Sequence, residues 1–115
     1  MTARTALVSG ANRGIGFEVC RQLARGGLRV ILTGRDADAT LAAARELVGA
    51  GLDVVSETLD VSSEESVRSC AARLDRQRRH VDVLVNNAGI YPAGDLLTAP
   101  SATFVEAMRS TSSAR

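Results

Sequence analysis

The sequence predicts an α/β fold with a doubly wound parallel sheet, and three observations carry this prediction. Short apolar runs typical of buried strands begin at Thr5, Leu28, Asp53 and Val81. Segments with the apolar spacing of amphipathic helices separate these runs, and glycines or capping residues mark their ends. Because strands and helices alternate, right-handed crossovers should place the strands in one parallel sheet with the order 3-2-1-4.

The first strand, Thr5 to Val8, ends at a glycine-rich turn that indicates a phosphate site. Gly10, Gly14 and Gly16 carry no Cβ, so the backbone can adopt positive φ and approach a ligand closely. The N–H groups and the dipole of the following helix then favour an anion such as a pyrophosphate. Similar turns also occur where no ligand binds, so the turn alone leaves a purely structural role open.

Three helices are expected between the strands, each with a capping signal or a glycine boundary and one apolar face. Asp36 or Asp38 can cap the second helix, and Ser62–Glu65 has the Ser-x-x-Glu pattern of a capping box for the third. The residues expected to be buried are, helix by helix, Ile15, Val19 and Leu23; Leu41, Ala44, Leu47 and Val48; and Val67, Cys70, Ala71 and Leu74.

The part of the sequence after the fourth strand, Val81–Val85, is less regular. Ile90–Ala99 is predicted to be a loop, because it contains a glycine and a proline and a second proline follows it, and Ser101–Met108 has the spacing of a short helix. Residues 1–108 are therefore predicted to form one nucleotide-binding domain, and residues 109–115 a frayed tail.

Composition argues against several classes of function. A net charge of +1 gives no general attraction to nucleic acid or to an anionic membrane. No targeting signal or membrane span is evident, so a cytoplasmic protein is expected. Cys20 and Cys70 lack metal-ligand spacing and read as reduced thiols, and with His80 as the single histidine a His-based metal site or Ser-His-Asp triad is not expected.

The arginines of the third helix first suggest a nucleic-acid patch. Acidic residues at Glu64, Glu65 and Asp75 lie among them, so a solvated helix face explains the pattern better.

Four polar or glycine-rich clusters should meet at one edge of the sheet. They are Gly10–Gly16, Gly34–Arg35, Asp60–Val61 and Asn86–Gly89, and each follows the carboxyl end of a predicted strand. Ligands of open α/β sheets bind at this edge, at the switch point between strands 1 and 4. The sequence therefore predicts a ligand site there.

These clusters together resemble the short-chain dehydrogenase/reductase family. Its Thr/Ser-Gly-x-x-x-Gly-x-Gly pattern is matched from Ser9 to Gly16, and its Asn-Asn-Ala-Gly motif at 86–89. The amino-acid sequence of residues 10–23 and 30–36 is most similar to that of the carbonyl reductase branch. The resemblance implies a Rossmann-type fold and hydride transfer between a nicotinamide dinucleotide and a small carbonyl compound.

The resemblance also implies which residues bind the cofactor. Asp60 and Val61 would lie against the adenine ring. For Asn86, a structural role between strand 4 and its neighbours is as good an explanation as a ligand contact. The implied cofactor-binding residues are Ser9, Gly10, Asn12, Arg13, Gly14, Ile15, Gly16, Arg35, Asp60, Val61, Asn87, Ala88 and Gly89.

NADP(H) is expected rather than NAD(H). Gly34 stands where an acidic residue would bind the ribose 2′-hydroxyl of NAD, and Arg35 and Arg13 can bind a 2′-phosphate. Two surface arginines without a ligand remain the alternative.

The family's catalytic Tyr-x-x-x-Lys has no counterpart here. The sequence contains no lysine, and its one tyrosine, Tyr91, is followed by Pro92-Ala93-Gly94-Asp95. Thr111 stands where the family's water-holding asparagine is expected. No catalytic residue is therefore assigned, and the chain reads as the N-terminal, cofactor-binding half of an enzyme, truncated after strand 4, that would meet its carbonyl substrate only in a longer form.

Two other functions stay open on the sequence. One is a non-catalytic dinucleotide-binding or regulatory module that joins a partner chain. The other is a non-redox relative such as an epimerase, which the motifs match less well. The fourth strand should present a bare edge, so self-association through it is also expected.

Overall fold

Strands and helices alternate along the chain in the computed structural model, which describes residues 4–11, 14–86 and 89–92, with only the backbone at 86 and 89–92. The elements are β1 (Thr5–Val8), α1 (Gly14–Arg25), β2 (Arg29–Gly34), α2 (Ala37–Gly49), β3 (Val54–Thr58), α3 (Glu64–Arg76), β4 (Val83–Asn86) and β5 (Gly89–Pro92). Each predicted strand and each of the first three predicted helices is present, with ends shifted by one or two residues.

The strands form one sheet in the order β3-β2-β1-β4-β5, and the first four are parallel. In the central register, Leu7 lies between Ile31 of β2 and Leu84 of β4. Helices cover both faces of this parallel part, which explains the nearly continuous apolar strands. The predicted order 3-2-1-4 is confirmed.

The end of the sheet differs from the prediction. Gly89–Pro92 forms β5 and pairs antiparallel with β4, with Val85 opposite Ile90, so the predicted loop is wrong at Ile90–Pro92. Two residues separate Asn86 from Gly89, which is enough for a hairpin, whereas a parallel neighbour needs a long crossover. The bare edge predicted for strand 4 is therefore wrong, and self-association stays a prediction without that basis.

The core has two layers, one on each face of the sheet. The layer under α1 and α2 is built on Val8, Cys20, Val30, Leu32, Ala43, Ala44, Leu47 and Val54. The layer under α3 is built on Leu7, Ile31, Leu59, Val67, Cys70, Ala71, Leu74 and Leu84. Successive residues of β1 and β2 alternate between the layers, as side chains of a strand must.

The buried face of α1 is not the predicted one. Ile15 is 82% exposed, and the buried residues are Gly16, Cys20 and Ala24, one position further along. These small side chains recur every fourth residue and let the helix axis lie close to the sheet. The larger Val19 and Leu23 pack against the edge of the layer and are only partly buried.

The buried face was predicted in part for α2 and in full for α3. In α2, Ala44 and Leu47 are buried as predicted, but Leu41 and Val48 are 41% and 51% exposed. In α3, the predicted buried face is confirmed at each of its four positions.

At the N-terminal ends of α2 and α3, a side chain caps the helix by accepting hydrogen bonds from backbone N–H groups. Asp36 caps α2 and accepts hydrogen bonds from the backbone N–H groups of Asp38 and Ala39. Ser63 caps α3 and accepts from the backbone N–H of Ser66 at 3.2 Å. The predicted capping box at Ser62–Glu65 is wrong, because the cap lies one residue later and the third helical position is then Ser66.

Several predictions fall outside the described residues: the helix at Ser101–Met108, the tail at 109–115 and the domain boundary at 108. Within the ranges that the structure describes, no helix has the length and apolar character needed to cross a bilayer.

Candidate functional site

The carboxyl ends of the parallel strands meet at one rim, and backbone hydrogen bonds join them. The N–H of Ser9 donates to the carbonyl of Val85 at 2.9 Å, which ties the end of β1 to β4. The N–H of Ala11 donates to the carbonyl of Thr33 at 2.7 Å, which ties the glycine turn to β2. The N–H of Leu59 donates to the carbonyl of Gly34 at 2.8 Å, which ties the end of β3 to β2. The predicted clusters that follow β1, β2 and β3 therefore lie on one connected edge.

The glycine turn needs its glycines for two physical reasons. Gly10 and Gly14 have φ of 58° and 66°, in the region that other residues rarely adopt. At Gly16, a Cβ atom would lie 2.5 Å from the carbonyl oxygen of Gly10 and 2.9 Å from Cα of Ala11. The first turn of α1 is thus packed directly onto the backbone of the turn, where a side chain has no space.

The start of α1 carries no side chain that would compete with an anion. Its first turn contains no acidic residue, and Gly14 and Ile15 are exposed. Ile15 places an apolar side chain at the surface beside the turn. The prediction that Ile15 is buried is therefore wrong, and its exposed position is compatible with the predicted cofactor contact, which stays a prediction.

Two hydroxyl groups hold the turn in place, and of these two residues the sequence predicts only Ser9, as a cofactor-binding residue. Ser9 is 3% exposed, and its hydroxyl donates a long hydrogen bond of 3.4 Å to the carbonyl of Val85, so it faces the strands. Thr33 is fully buried and donates from Oγ1 to the carbonyl of Val8 at 2.7 Å. A threonine within an otherwise apolar strand was the signal that could have found the second group.

At the end of β2, Arg35 forms no ion pair with another described residue, whereas Asp36 is engaged as a helix cap. Arg35 is exposed immediately after Gly34. The neighbouring Asp36 uses its Oδ1 to accept from Asp38 and Ala39 at 3.0 and 3.2 Å, as the cap of α2. Arg35 therefore offers a cation to a ligand at this connection, beside a carboxylate that is held by the start of α2.

The residues after β3 form a tight polar turn. Asp60 is half-buried, and hydrogen bonds from the hydroxyl and the backbone N–H of Ser62, with a smaller contribution from the positive charge of Arg35, lower the pKa of its carboxyl group. Val61 is half-buried and packs against the apolar layer under α3. The structure thus brings Asp60 and Arg35, from two different connections, to the same rim.

The remaining predicted residues are less fully described. At Gly89 the backbone pairs with Asn86 across the β4–β5 hairpin. Asn12, Arg13, Asn87 and Ala88 lie outside the described residues.

The arrangement suits an anionic group such as a diphosphate. Two glycines with positive φ and a third without room for a Cβ form a backbone cradle, and a helix begins directly above it. Over the described ranges, no group of three His, Cys, Asp or Glu side chains is placed to hold a metal ion.

Comparison with known proteins agrees with this geometry. (+)-Neomenthol dehydrogenase from Arabidopsis thaliana is 47% identical over 93 residues, which are 77% of this chain and 31% of that protein. Menthone neomenthol reductase from Mentha piperita superimposes with a TM-score of 0.71 and 42% identity over 77% of this chain and 32% of that chain. RhlG from Pseudomonas aeruginosa, solved with NADP, gives 0.72 and 34% identity over 96% of this chain and 45% of that chain.

The chain therefore spans less than half the length of these relatives. A family model described as short chain dehydrogenase matches residues 4–113, which is nearly all of the sequence. Together with the sheet order and the glycine turn, this match shows that the chain belongs to the short chain dehydrogenase family.

Proposed function

We propose that this chain binds NADP(H) as the cofactor-binding part of an oxidoreductase that reduces small carbonyl compounds. The observation that carries the proposal is the closed packing of the glycine turn, where a Cβ at Gly16 would lie 2.5 Å from the carbonyl oxygen of Gly10. This packing keeps side chains away from the start of α1, so a phosphate group can approach the backbone N–H groups there.

The diphosphate would be held by the backbone at the start of α1. The N–H groups of a first helical turn have no partners within their own helix, and the helix dipole adds a partial positive charge. Because Gly14 and Gly16 contribute no side chains, a diphosphate can approach these groups closely. Ile15 would then cover an apolar part of the ligand.

The 2′-phosphate would be held by Arg35. A guanidinium can donate two parallel hydrogen bonds to a phosphate, and such charge-assisted bonds are about twice as strong as neutral ones. The nearby Asp36 caps α2 with one carboxylate oxygen, and this favours its role as a helix cap over a role as a ribose ligand. The structure of RhlG, solved with NADP, supports the same choice of cofactor.

Carbonyl reduction is proposed from the relatives and not from the site. Their names include a neomenthol dehydrogenase and a menthone neomenthol reductase. The nicotinamide supplies the hydride when the cofactor is bound, and this chain's part is to bind and orient the cofactor. Without a lysine, the 115 residues lack the group that lowers the pKa of the family's tyrosine, so we expect binding without turnover.

Calorimetric titration with NADPH and NADH tests the cofactor assignment. We expect NADPH to bind more tightly, and Arg35→Asp to weaken NADPH binding by about tenfold or more while leaving NADH binding nearly unchanged. Arg25→Asp is the matched control, because Arg25 is an exposed arginine in the last turn of α1, far from the glycine turn. A folded chain that binds neither dinucleotide would contradict the proposal.

Activity is tested separately. The purified chain, mixed with NADPH and a quinone or diketone, should show no oxidation of NADPH above the rate without protein. Measurable turnover that increases with the concentration of the chain would show that the missing lysine is not required.

A non-catalytic dinucleotide-binding module that joins a partner chain is the second candidate. The residues of this chain are compatible with it, because dinucleotide binding at the glycine turn does not require a lysine. A cytoplasmic location is proposed for both candidates, since the free and buried Cys20 and Cys70 suit a reducing compartment.

A further inference from the structure

We propose that Arg73 closes the outer edge of β3, which without this arginine would pair with β3 of a second copy of this chain. Strand β3 is the last strand on one side of the sheet, so within the described part of the chain no strand pairs with its outer edge. Unpaired backbone groups on such an edge are a template for another strand. The inference concerns association between copies of the chain and does not rest on the proposed cofactor.

The backbone groups on the outer edge follow from the bonds between β3 and β2. The carbonyl of Asp53 accepts from the N–H of Val30 at 3.0 Å, and the N–H of Leu59 donates to the carbonyl of Gly34 at 2.8 Å. Because the backbone groups of successive residues in a strand point to opposite sides, every second residue from 53 to 59 faces β2. The residues whose N–H and carbonyl groups point away from the sheet are therefore Val54, Ser56 and Thr58.

The guanidinium of Arg73, on α3, occupies one of these outward groups. Its Nη2 donates to the carbonyl of Thr58 at 2.9 Å, and its Nε donates to Oε1 of Glu57 at 2.7 Å. The guanidinium thus takes a backbone acceptor that an incoming strand would need. Charged side chains placed on an edge strand are one way in which proteins oppose strand addition.

Glu57 holds Arg73 from a position where an apolar residue would be expected. It lies on the face of β3 that belongs to the layer under α3, between Val55 and Leu59, and its side chain is only 10% exposed. Its second oxygen, Oε2, accepts from Nε2 of Gln77 at 3.2 Å, so both carboxylate oxygens are bonded to α3. A carboxylate in this place loses hydration that an apolar side chain would not lose. Anchoring Arg73 at the edge explains why an acid stands there.

A second copy of β3 fits this edge by symmetry. In an antiparallel pair centred on Ser56, each Ser56 would exchange two backbone hydrogen bonds with its copy, and Val54 would lie opposite Thr58. The N–H of Val54 would then need the carbonyl of Thr58 in the other copy, which is the acceptor that Arg73 holds. The strand is otherwise suited to pairing, because three of its five residues are β-branched and it contains neither proline nor lysine.

Sedimentation velocity of the full chain over a concentration series tests the inference. Arg73→Met removes the donors and keeps a long side chain, and Glu57→Gln in the same chain leaves no buried charge unpaired. We expect this double variant to self-associate at least about tenfold more tightly than the wild type. Its matched control is Arg68→Met with Glu64→Gln, because that ion pair joins two exposed residues of α3 alone. The control should sediment like the wild type.

Ser56→Pro, added to the double variant, shows whether the association uses the edge of β3. Proline removes the outward N–H at the centre of the pair, whereas the bonds between β3 and β2 come from the neighbouring residues. The triple variant should therefore sediment like the wild type. In the double variant, the amide of Ser56 should exchange its hydrogen more slowly than in the wild type, since it would be bonded to the second copy.

Arg73→Lys keeps the fold testable should the double variant unfold. Lysine retains the positive charge beside Glu57 but lacks the planar fork that reaches both acceptors, so its association should lie between that of the wild type and that of the double variant. Association that survives Ser56→Pro would overturn the inference, because it would use another surface. Equal sedimentation of Arg73→Lys, the double variant and the control would overturn it as well.

Discussion

Helices α1 and α3 begin at the same rim of the sheet, yet their first turns are built in opposite ways. Helix α3 begins behind the Ser63 cap, and Glu64 and Glu65 follow in its first turn. Helix α1 begins with Gly14-Ile15-Gly16 and has no acidic side chain in its first turn. Helix α2 resembles α3, with Asp36 as cap and Asp38 in the first turn.

The difference shows which helix can accept an anionic ligand. At α3, a hydroxyl satisfies one backbone N–H and two carboxylates offset the positive end of the dipole. A bound phosphate would meet repulsion there. At α1 the protein supplies none of this negative charge within the first turn, so a ligand can supply it. The following four predictions test this contrast, from the largest expected effect to the smallest.

Gly16→Ala should have the largest effect. The added Cβ would lie 2.5 Å from the carbonyl oxygen of Gly10, so the helix or the turn must shift. We expect a loss of about 1–3 kcal/mol in the free energy of unfolding and at least tenfold weaker NADPH binding, measured by urea denaturation and calorimetry.

Gly49→Ala is the control for Gly16. A Cβ at Gly49 would meet nothing within 4 Å, and alanine there should stabilise α2 by up to about 1 kcal/mol. Equal stability of the two variants would show that the packing of α1 on the turn is not tight.

Ile15→Glu should make the first turn of α1 resemble that of α3. Ile15 is exposed, so the free energy of unfolding should change by less than about 0.5 kcal/mol. The added carboxylate would repel the diphosphate, and we expect about tenfold weaker NADPH binding by calorimetry. Val48→Glu, an exposed apolar residue at the far end of α2, should leave binding unchanged; unchanged binding in both variants would argue against a diphosphate at α1.

Ser63→Ala should affect stability alone. Removal of the cap leaves the N–H of Ser66 without its side-chain acceptor, and the free energy of unfolding should fall by about 1 kcal/mol in a urea melt. The affinity for NADPH should stay within error of the wild type. A large loss of affinity would mean that the first turn of α3 contacts the diphosphate after all.

The smallest effect concerns the acid stability of α1. Hydrogen bonds from Arg21 and Gln22 lower the pKa of Glu18 from 4.5 to about 2. Because the pKa of Glu18 is lower in the folded state, its ionised carboxylate stabilises the fold at pH values above 4.5, and this contribution is lost as the pH falls toward 2. Glu18 is exposed, so the contribution is small.

Glu18→Gln should therefore lose less thermal stability than the wild type as the pH falls from 5 to 2. This pH range spans the ordinary pKa of Glu18 and its lowered value in the folded chain. Glu46→Gln, an exposed residue of α2, corrects for the removal of one carboxylate. Parallel acid profiles for the wild type and Glu18→Gln would contradict the role of the Arg21 and Gln22 bonds.

The order of the four parallel strands was predictable from the sequence because each of them is apolar and each connection between them holds one helix. The face of α3 was predictable for a related reason: Val67, Cys70 and Leu74 are apolar residues at helical spacing among charged ones. The face of α1 was not, because its contact with the sheet depends on small residues. Hydropathy ranks Ile15 above Gly16, whereas the close approach of the helix requires the reverse.

The glycine turn and Arg35 could be placed at the rim from their spacing alone. The contacts that fix the rim could not. Thr33, Ser62 and Ser66 act through single hydroxyl groups whose partners lie elsewhere in the chain or across a turn. A serine in sequence carries no sign of which backbone group it will bind. The β4–β5 hairpin was missed because Gly94 and the prolines at 92 and 100 indicate a loop from residue 90 onward.

The two cysteines provide a reporter for each side of the molecule. Cys20 belongs to the layer under α1 and α2, and Cys70 to the layer under α3. Burial raises the pKa of Cys20 to about 12 and that of Cys70 to about 11, so neither thiol should react with alkylating reagents while its helix stays docked. Labelling rates at the two positions, resolved by mass spectrometry, would therefore time the opening of each half of the molecule separately and without any engineered probe.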